Sequence, residues 1–148
     1  MNVLRRISME SIDLIQRYDE VIHRKDLENN YLIIEVLSKY GNKFIFYIDA
    51  NYPFKNPEKI FLNNNNYLNT LKLIKPFRKL LKETSNVECL CCHSLTCQNN
   101  WTPCKRLWEL VDEGDRVILM KKKIFYLYYA RKIACDFLTH DIPIESYL

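Results

Sequence analysis

Leu4, Ile7, Leu14, Ile15 and Tyr18 recur at helical spacing, with Arg5, Arg6, Glu10, Asp13 and Arg17 between them. An apolar stripe opposite a charged one predicts an amphipathic first helix over residues 2 to 18. The period then shortens to two. Tyr31 to Lys39 and Lys43 to Asp49 are dense in β-branched and aromatic residues and flank Tyr40-Gly41-Asn42, which predicts a β-hairpin closed by a tight Gly-Asn turn. Val21-Ile22 is expected as a short strand before the hairpin. Lys59 to Leu62 is expected as another after the Pro53/Pro57 turn, so the strands form an antiparallel meander.

Helical spacing returns in the second half. Leu71 to Lys82 mixes apolar and basic residues, and Phe77, Leu80 and Leu81 share one face, with Pro76 near the start of a short helix. Leu107, Trp108 and Val111 predict a helix beyond Pro103, interrupted near Gly114. Val117 to Leu138 then reads as a longer helix, apolar on most sides and ended by Asp141-Ile142-Pro143. Helix, strands, an irregular cysteine-rich segment and further helices, in that order, indicate an α+β fold.

Composition narrows this reading. A length of 148 residues suits one domain spanning 1–148. With 48% apolar residues, two glycines and five prolines, a disordered or collagen-like chain is excluded. The net charge of +4 is too mild to indicate nucleic acid. The Lys121-Lys122-Lys123 run has no stacking platform or reader motif beside it, so a solvated helix face is expected there. That run and Arg131-Lys132 also break the most apolar stretch, and no membrane span is expected. Six cysteines follow an N-terminus without an apolar signal core, which favours reduced thiols in a cytoplasmic compartment over a disulfide framework.

Five of those cysteines fall between residues 89 and 104. Cys89 and Cys92 form a Cys-x-x-Cys pair, followed by Cys97 and Cys104 and accompanied by His93, which are suitable ligands for tetrahedral zinc. The second half lacks a matching pair, so no metal ligand is assigned and no cofactor is required; a structural zinc is the alternative reading. Cys135, on an apolar helix, is expected as a small core residue, and Trp101 and Trp108 as core anchors.

Tyr52-Pro53-Phe54-Lys55-Asn56-Pro57 and Trp101-Thr102-Pro103, in this order of elements, resemble the catalytic domain of ubiquitin-conjugating enzymes over nearly the whole chain. That family has an N-terminal helix, an antiparallel meander, a Tyr-Pro-Phe-x-Pro-Pro turn, a His-Pro-Asn element, a catalytic cysteine and Trp-Ser-Pro before the next helix. The resemblance implies a UBC-like fold and a carrier of ubiquitin or a ubiquitin-like modifier as a cysteine thioester. It puts Tyr67-Leu68-Asn69 at the His-Pro-Asn element, so Asn69 is the candidate amide that stabilises the transfer oxyanion. A chance match from the neighbouring asparagine run is the rival.

Two cysteines compete for the acceptor role. Cys92 is placed first because its spacing to Trp101 is closer to the family's, whereas Cys89-Leu90 matches the family's Cys-Leu step. The resemblance further implies that Phe54, Pro103 and Cys104 meet a ubiquitin ligase and that Arg5, with Arg6 beside it, meets the activating enzyme. Two of the three His-Pro-Asn residues are replaced, and Leu71 to Asn86 is longer than the family's link to the cysteine. Both departures support an alternative: a catalytically inactive UBC- or RWD-like interaction module.

Overall fold

In the computed structural model, which describes residues 3–140, helix α1 (Val3–Arg17) leads into strands β1 (Glu20–Asp26), β2 (Tyr31–Leu37), β3 (Lys43–Ile48), β4 (Lys59–Leu62) and β5 (Asn65–Asn66). One-turn helix α2 (Tyr67–Thr70), helix α3 (Lys75–Ser85), a 3-10 turn at Cys91–His93 and helix α4 (Leu107–His140) follow. The five strands form one sheet in sequence order, every pair antiparallel. The expected helix ends at residue 2 and at Asp141-Ile142-Pro143 lie outside the described residues.

Alternation decides which side of the sheet is covered. Phe44, Phe46 and Ile48 on β3 are buried, as are Ile34 and Val36 on β2 and Ile60 and Leu62 on β4. They pack with Leu14, Leu81, Leu107, Leu110 and Val111, so the sheet, α1, α3 and α4 share one core. β2, β3 and β4 lie where the sequence pattern predicts them, whereas β1 runs well beyond the expected Val21-Ile22 and β5 falls in the asparagine run, where no strand is expected. The hairpin turn is longer than anticipated, running from Ser38 to Asn42, with Gly41 at φ +80° where a side chain would be strained.

Four helical expectations are corrected. In α1 the buried positions are Arg6, Glu10 and Leu14, while Leu4 and Ile15 are 72% and 60% exposed. The stripe is rotated because Arg6 and Glu10 neutralise one another and find buried hydrogen-bond partners. Along α4, Gly114 is no interruption but a point of close approach: a Cβ there would come within 2.4 Å of the Phe44 ring, so glycine lets β3 meet a single continuous helix of 34 residues. Cys135 on that helix is exposed rather than part of the core. Trp101 is buried as expected, whereas Trp108 is half-buried, with the Arg17 guanidinium 4.0 Å from its ring centroid.

The asparagine run is structural throughout. Asn63 and Asn64, at φ 51° and 68°, form the two-residue β4–β5 turn, which the sheet's twist favours when both residues are left-handed. Asn65 and Asn66 make up β5, and the Asn66 side chain accepts the Leu68 N–H at the start of α2.

Candidate functional site

The segment from Asn86 to Arg106 links α3 to α4 and is fastened at its edges. The Trp101 indole N–H donates to the Pro53 carbonyl at 2.8 Å, and its ring lies 6.0 Å from that of Tyr52, so the two sequence motifs that frame the segment are in contact. The Tyr52-Pro53 peptide bond is cis. Asn56 donates to the Thr96 carbonyl at 2.7 Å, tying the same turn to the segment's middle.

Two buried carboxylates complete the frame. Glu10 accepts from Arg6 at 3.1 Å, from the Tyr52 hydroxyl, and from the backbone N–H of Leu107 at 2.8 Å. It thereby satisfies one of the unpaired donors at the start of α4, where negative charge is also favourable. Arg6 continues outward to the carbonyls of Pro103 and Lys105. Glu109 closes the same helix end by accepting the Arg106 N–H at 2.7 Å. Glu113, two turns into α4, accepts from the hydroxyls of Tyr67 and Ser94 at 2.5 and 2.8 Å and from the Leu95 N–H at 2.7 Å. Burial, then the adjoining Glu113, pushes the Tyr67 phenol well above the ordinary tyrosine range; burial and Glu10 do the same for Tyr52.

Between these fasteners the chain turns its cysteines outward. Leu90 and Ser94 are buried, whereas Cys91, Cys92 and His93 are exposed and Cys89 is half-exposed. The turn is held by the His93 N–H on the Leu90 carbonyl at 3.2 Å and by the Asn100 amide on the carbonyls of Cys92 and Ser94 at 2.8 and 2.9 Å. The Cys89, Cys91 and Cys92 sulfurs all lie within 4.8 Å of one another. The nearby Cys92, through its thiol and its backbone N–H, and then Cys91 draw the Cys89 thiol below its ordinary pKa. The neighbouring Cys89, and then Cys91, push the Cys92 thiol up to about 12.

Cys89 and Cys91 open on a groove of about 350 Å³ with a wall of Leu68, Leu71, Leu73 and Leu90 and two cations, Lys72 and Arg78. Asn69 is exposed on α2 and, unlike Leu68 and Leu71 to either side of it in sequence, does not line the groove. Phe54 is 64% exposed and shares a separate depression with Lys55, Asn56, Gln98 and Trp101. Pro103, Cys104 and Arg5 are exposed, while Arg6, expected at the surface beside Arg5, is turned into the protein. Cys97, Cys104 and His93 stand outside the three-sulfur group, and Cys91, which the Cys-x-x-Cys spacing passes over, stands inside it.

No family model, curated protein or solved structure matches this chain. The architecture is α+β, with an N-terminal helix, a five-stranded antiparallel sheet and C-terminal helices. Among the described residues no helix is long and apolar enough to cross a membrane.

Sequence reasoning passed over Glu10 and Glu113, the residues that hold the frame. Each sits in an apolar stripe, Glu10 between Ile7 and Leu14 and Glu113 between Leu110 and Val117. A carboxylate at a core position of a helix is the signal that could have found them, because such a group must be paired or hydrogen-bonded.

Proposed function

We propose that the chain is a divergent ubiquitin-conjugating enzyme of UBC-like fold that carries ubiquitin or a ubiquitin-like modifier as a thioester on Cys89. The observation that carries the reading is the placement of this thiol: partly exposed, lining a mainly apolar groove, on a segment fastened by the Tyr52-Pro53 and Trp101 motifs. An extended modifier tail lying in the groove brings its terminal carbonyl to the sulfur. Cys92, which the spacing to Trp101 favours, does not line the groove, and Cys89 takes its place as acceptor.

In the transfer, the Cys89 thiolate attacks the carbonyl carbon of the modifier's thioester on the activating enzyme. The new S–C bond forms as the activating enzyme's sulfur leaves as thiolate. A lysine amine, presented directly or with a ligase, then attacks the same carbon, loses its proton to solvent and expels the Cys89 thiolate. The Asn69 amide donates to the oxyanion in this second step. Phe54, Pro103 and Cys104 offer the ligase surface and Arg5 the contact with the activating enzyme. Arg6 supports that face from beneath by holding the carbonyls of Pro103 and Lys105.

The test is incubation with activating enzyme, ATP and ubiquitin, resolved on a non-reducing gel. A thiol-sensitive adduct is expected for the native chain and for Cys92→Ala, and its loss for Cys89→Ala. Absence of any adduct across a panel of activating enzymes and modifiers would sink the carrier reading. The exposed Phe54 would then favour the second one, an inactive interaction module that docks through Phe54 and Pro103.

A further inference from the structure

Three thiols lie on four consecutive residues, and the fold makes all their sulfurs converge. Leu90 is buried in a helical conformation and opens the 3-10 turn, whose three-residue repeat brings Cys92 over Cys89 with Cys91 beside them. The Cys91 and Cys92 sulfurs are 4.0 Å apart, and all three fall within 4.8 Å of one another. Zn–S bonds of about 2.3 Å at the tetrahedral angle set the ligand sulfurs about 3.8 Å apart, so this cluster needs only a small contraction.

We infer that Cys89, Cys91 and Cys92 form a binding site for a thiophilic d10 cation, Zn²⁺ above all, with the fourth coordination position open to solvent. An all-sulfur donor set selects soft or borderline metals and excludes Mg²⁺ and Ca²⁺, which require oxygen ligands. The exposure of Cys91 and Cys92 leaves the ion an open approach from solvent. On binding, the thiol protons pass to solvent and three thiolates face two positive charges, leaving one net negative charge on the centre. Lys72 and Arg78 line the same groove as Cys89 and Cys91, so positive charge is available near that centre. The turn is already held by the Asn100 amide and the Leu90 carbonyl, which reduces the ordering that binding has to supply.

The site stands on the sulfur geometry alone. One consequence rests on the carrier reading: a metal bound through the Cys89 sulfur blocks its acylation, so metal loading and thioester formation exclude each other.

The experiment uses the full chain, reduced and stripped with chelator, and titrates it with Zn²⁺ against a chromophoric competitor and with Cd²⁺ for thiolate-to-metal charge-transfer absorption. One ion per chain is expected. Cys91→Ser and Cys92→Ser should each weaken binding by more than the roughly 100-fold that loss of an outer-shell partner can cost, while Cys97→Ser, Cys104→Ser and Cys135→Ser leave it unchanged. Alkylation of the unmutated chain with and without Zn²⁺, mapped by mass spectrometry, gives a readout independent of any variant's folding: residues 89, 91 and 92 should be protected and Cys104 should not. Absence of saturable binding, equal loss in Cys97→Ser, or a Cys91–Cys92 disulfide in place of the ion overturns the inference. No activating enzyme or modifier is present in the titration, so its failure leaves the carrier reading standing, and a failed thioester assay leaves the metal site standing.

Discussion

The frame around the cysteine segment and the segment's tip are built in opposite ways. In the frame, Tyr52, Tyr67, Glu10, Glu113 and Trp101 are buried, and each makes a hydrogen bond across more than 40 positions of sequence. At the tip, Cys91, Cys92 and His93 are exposed and are held mainly by local backbone bonds and the Asn100 amide. The contrast separates stability from chemistry. Changes to the frame should be felt in folding, and changes at the tip should be felt in reactivity with little cost to the fold.

The largest effect is expected from Glu10→Ala. It leaves the Arg6 guanidinium, only 4% exposed, without its carboxylate, and breaking a buried pair in this way costs about 3–5 kcal/mol. Urea denaturation followed by circular dichroism measures it. Glu113→Ala should be destabilising as well but by less, since Ser94 keeps Thr96 and Leu95 is half-buried, which leaves the Tyr67 hydroxyl as the buried donor without its acceptor, at about 1–3 kcal/mol. The two variants sharpen the contrast, because Glu113 bonds Ser94 and Leu95 beside the three cysteines, whereas Glu10 reaches the segment only at its far end, through Arg6 on Pro103 and Lys105. Alkylation at Cys89, Cys91 and Cys92 should change in Glu113→Ala and stay native in the folded fraction of Glu10→Ala; equal rates in all three proteins would mean that the frame does not position the tip.

Next comes Gly114→Ala. Alanine favours a helix over glycine by about 1 kcal/mol. A Cβ 2.4 Å from the Phe44 ring instead forces β3 and α4 apart, and overpacking of this kind costs about 1–3 kcal/mol. Net destabilisation in a thermal melt is expected; a stabilised variant would show that the packing there relaxes freely.

Much of the fold was legible in residue patterns, and the parts that were not share a cause. The strands were visible because alternation is local: β4 spans Lys59–Leu62 as expected, and β2 and β3 lie inside the anticipated runs. The face of α1 was misread because Arg6 and Glu10 owe their burial to Tyr52, Pro103, Lys105 and Leu107, none nearby in sequence. Gly114 looked like a break because a glycine's helical cost is local, whereas the Phe44 ring that requires it comes from another element. The cysteine segment stood out as the site, but its three-sulfur grouping depends on the turn at Cys91–His93, which no periodicity announces.

Alkaline pH gives a smaller and graded test of the frame. Burial, reinforced by Asp112 and Asp115 against the opposing Arg17, raises the Tyr18 phenol from its ordinary 10 to about 12. Tyr52, beside Glu10 and Arg6, and Tyr67, beside Glu113 and Arg116, are raised further. A phenol whose folded pKa exceeds its unfolded value contributes stability that is complete below pH 10 and declines as pH rises from there toward the folded value. In that window each such tyrosine lowers stability by about 1.4 kcal/mol per pH unit. Tyr52→Phe and Tyr67→Phe should each flatten the alkaline slope of the urea midpoint, and unchanged slopes would remove these phenols from the account.

The smallest effect on stability, and the most informative, belongs to the tip. Cys91→Ser and Cys92→Ser replace exposed thiols with hydroxyls of similar shape and leave the core packing intact, so their unfolding free energies should stay within about 0.5 kcal/mol of the native value. If either variant instead loses several kcal/mol in metal-free buffer, the tip is part of the frame and the separation fails. If both are neutral without metal but only the native chain is stabilised by added Zn²⁺, the stabilisation is binding energy, growing with free ion as a ligand specific to the folded state requires. That pattern would place the energy of this region in what it holds rather than in how it packs, because a segment fastened at both edges can leave its thiols exposed without losing their convergence.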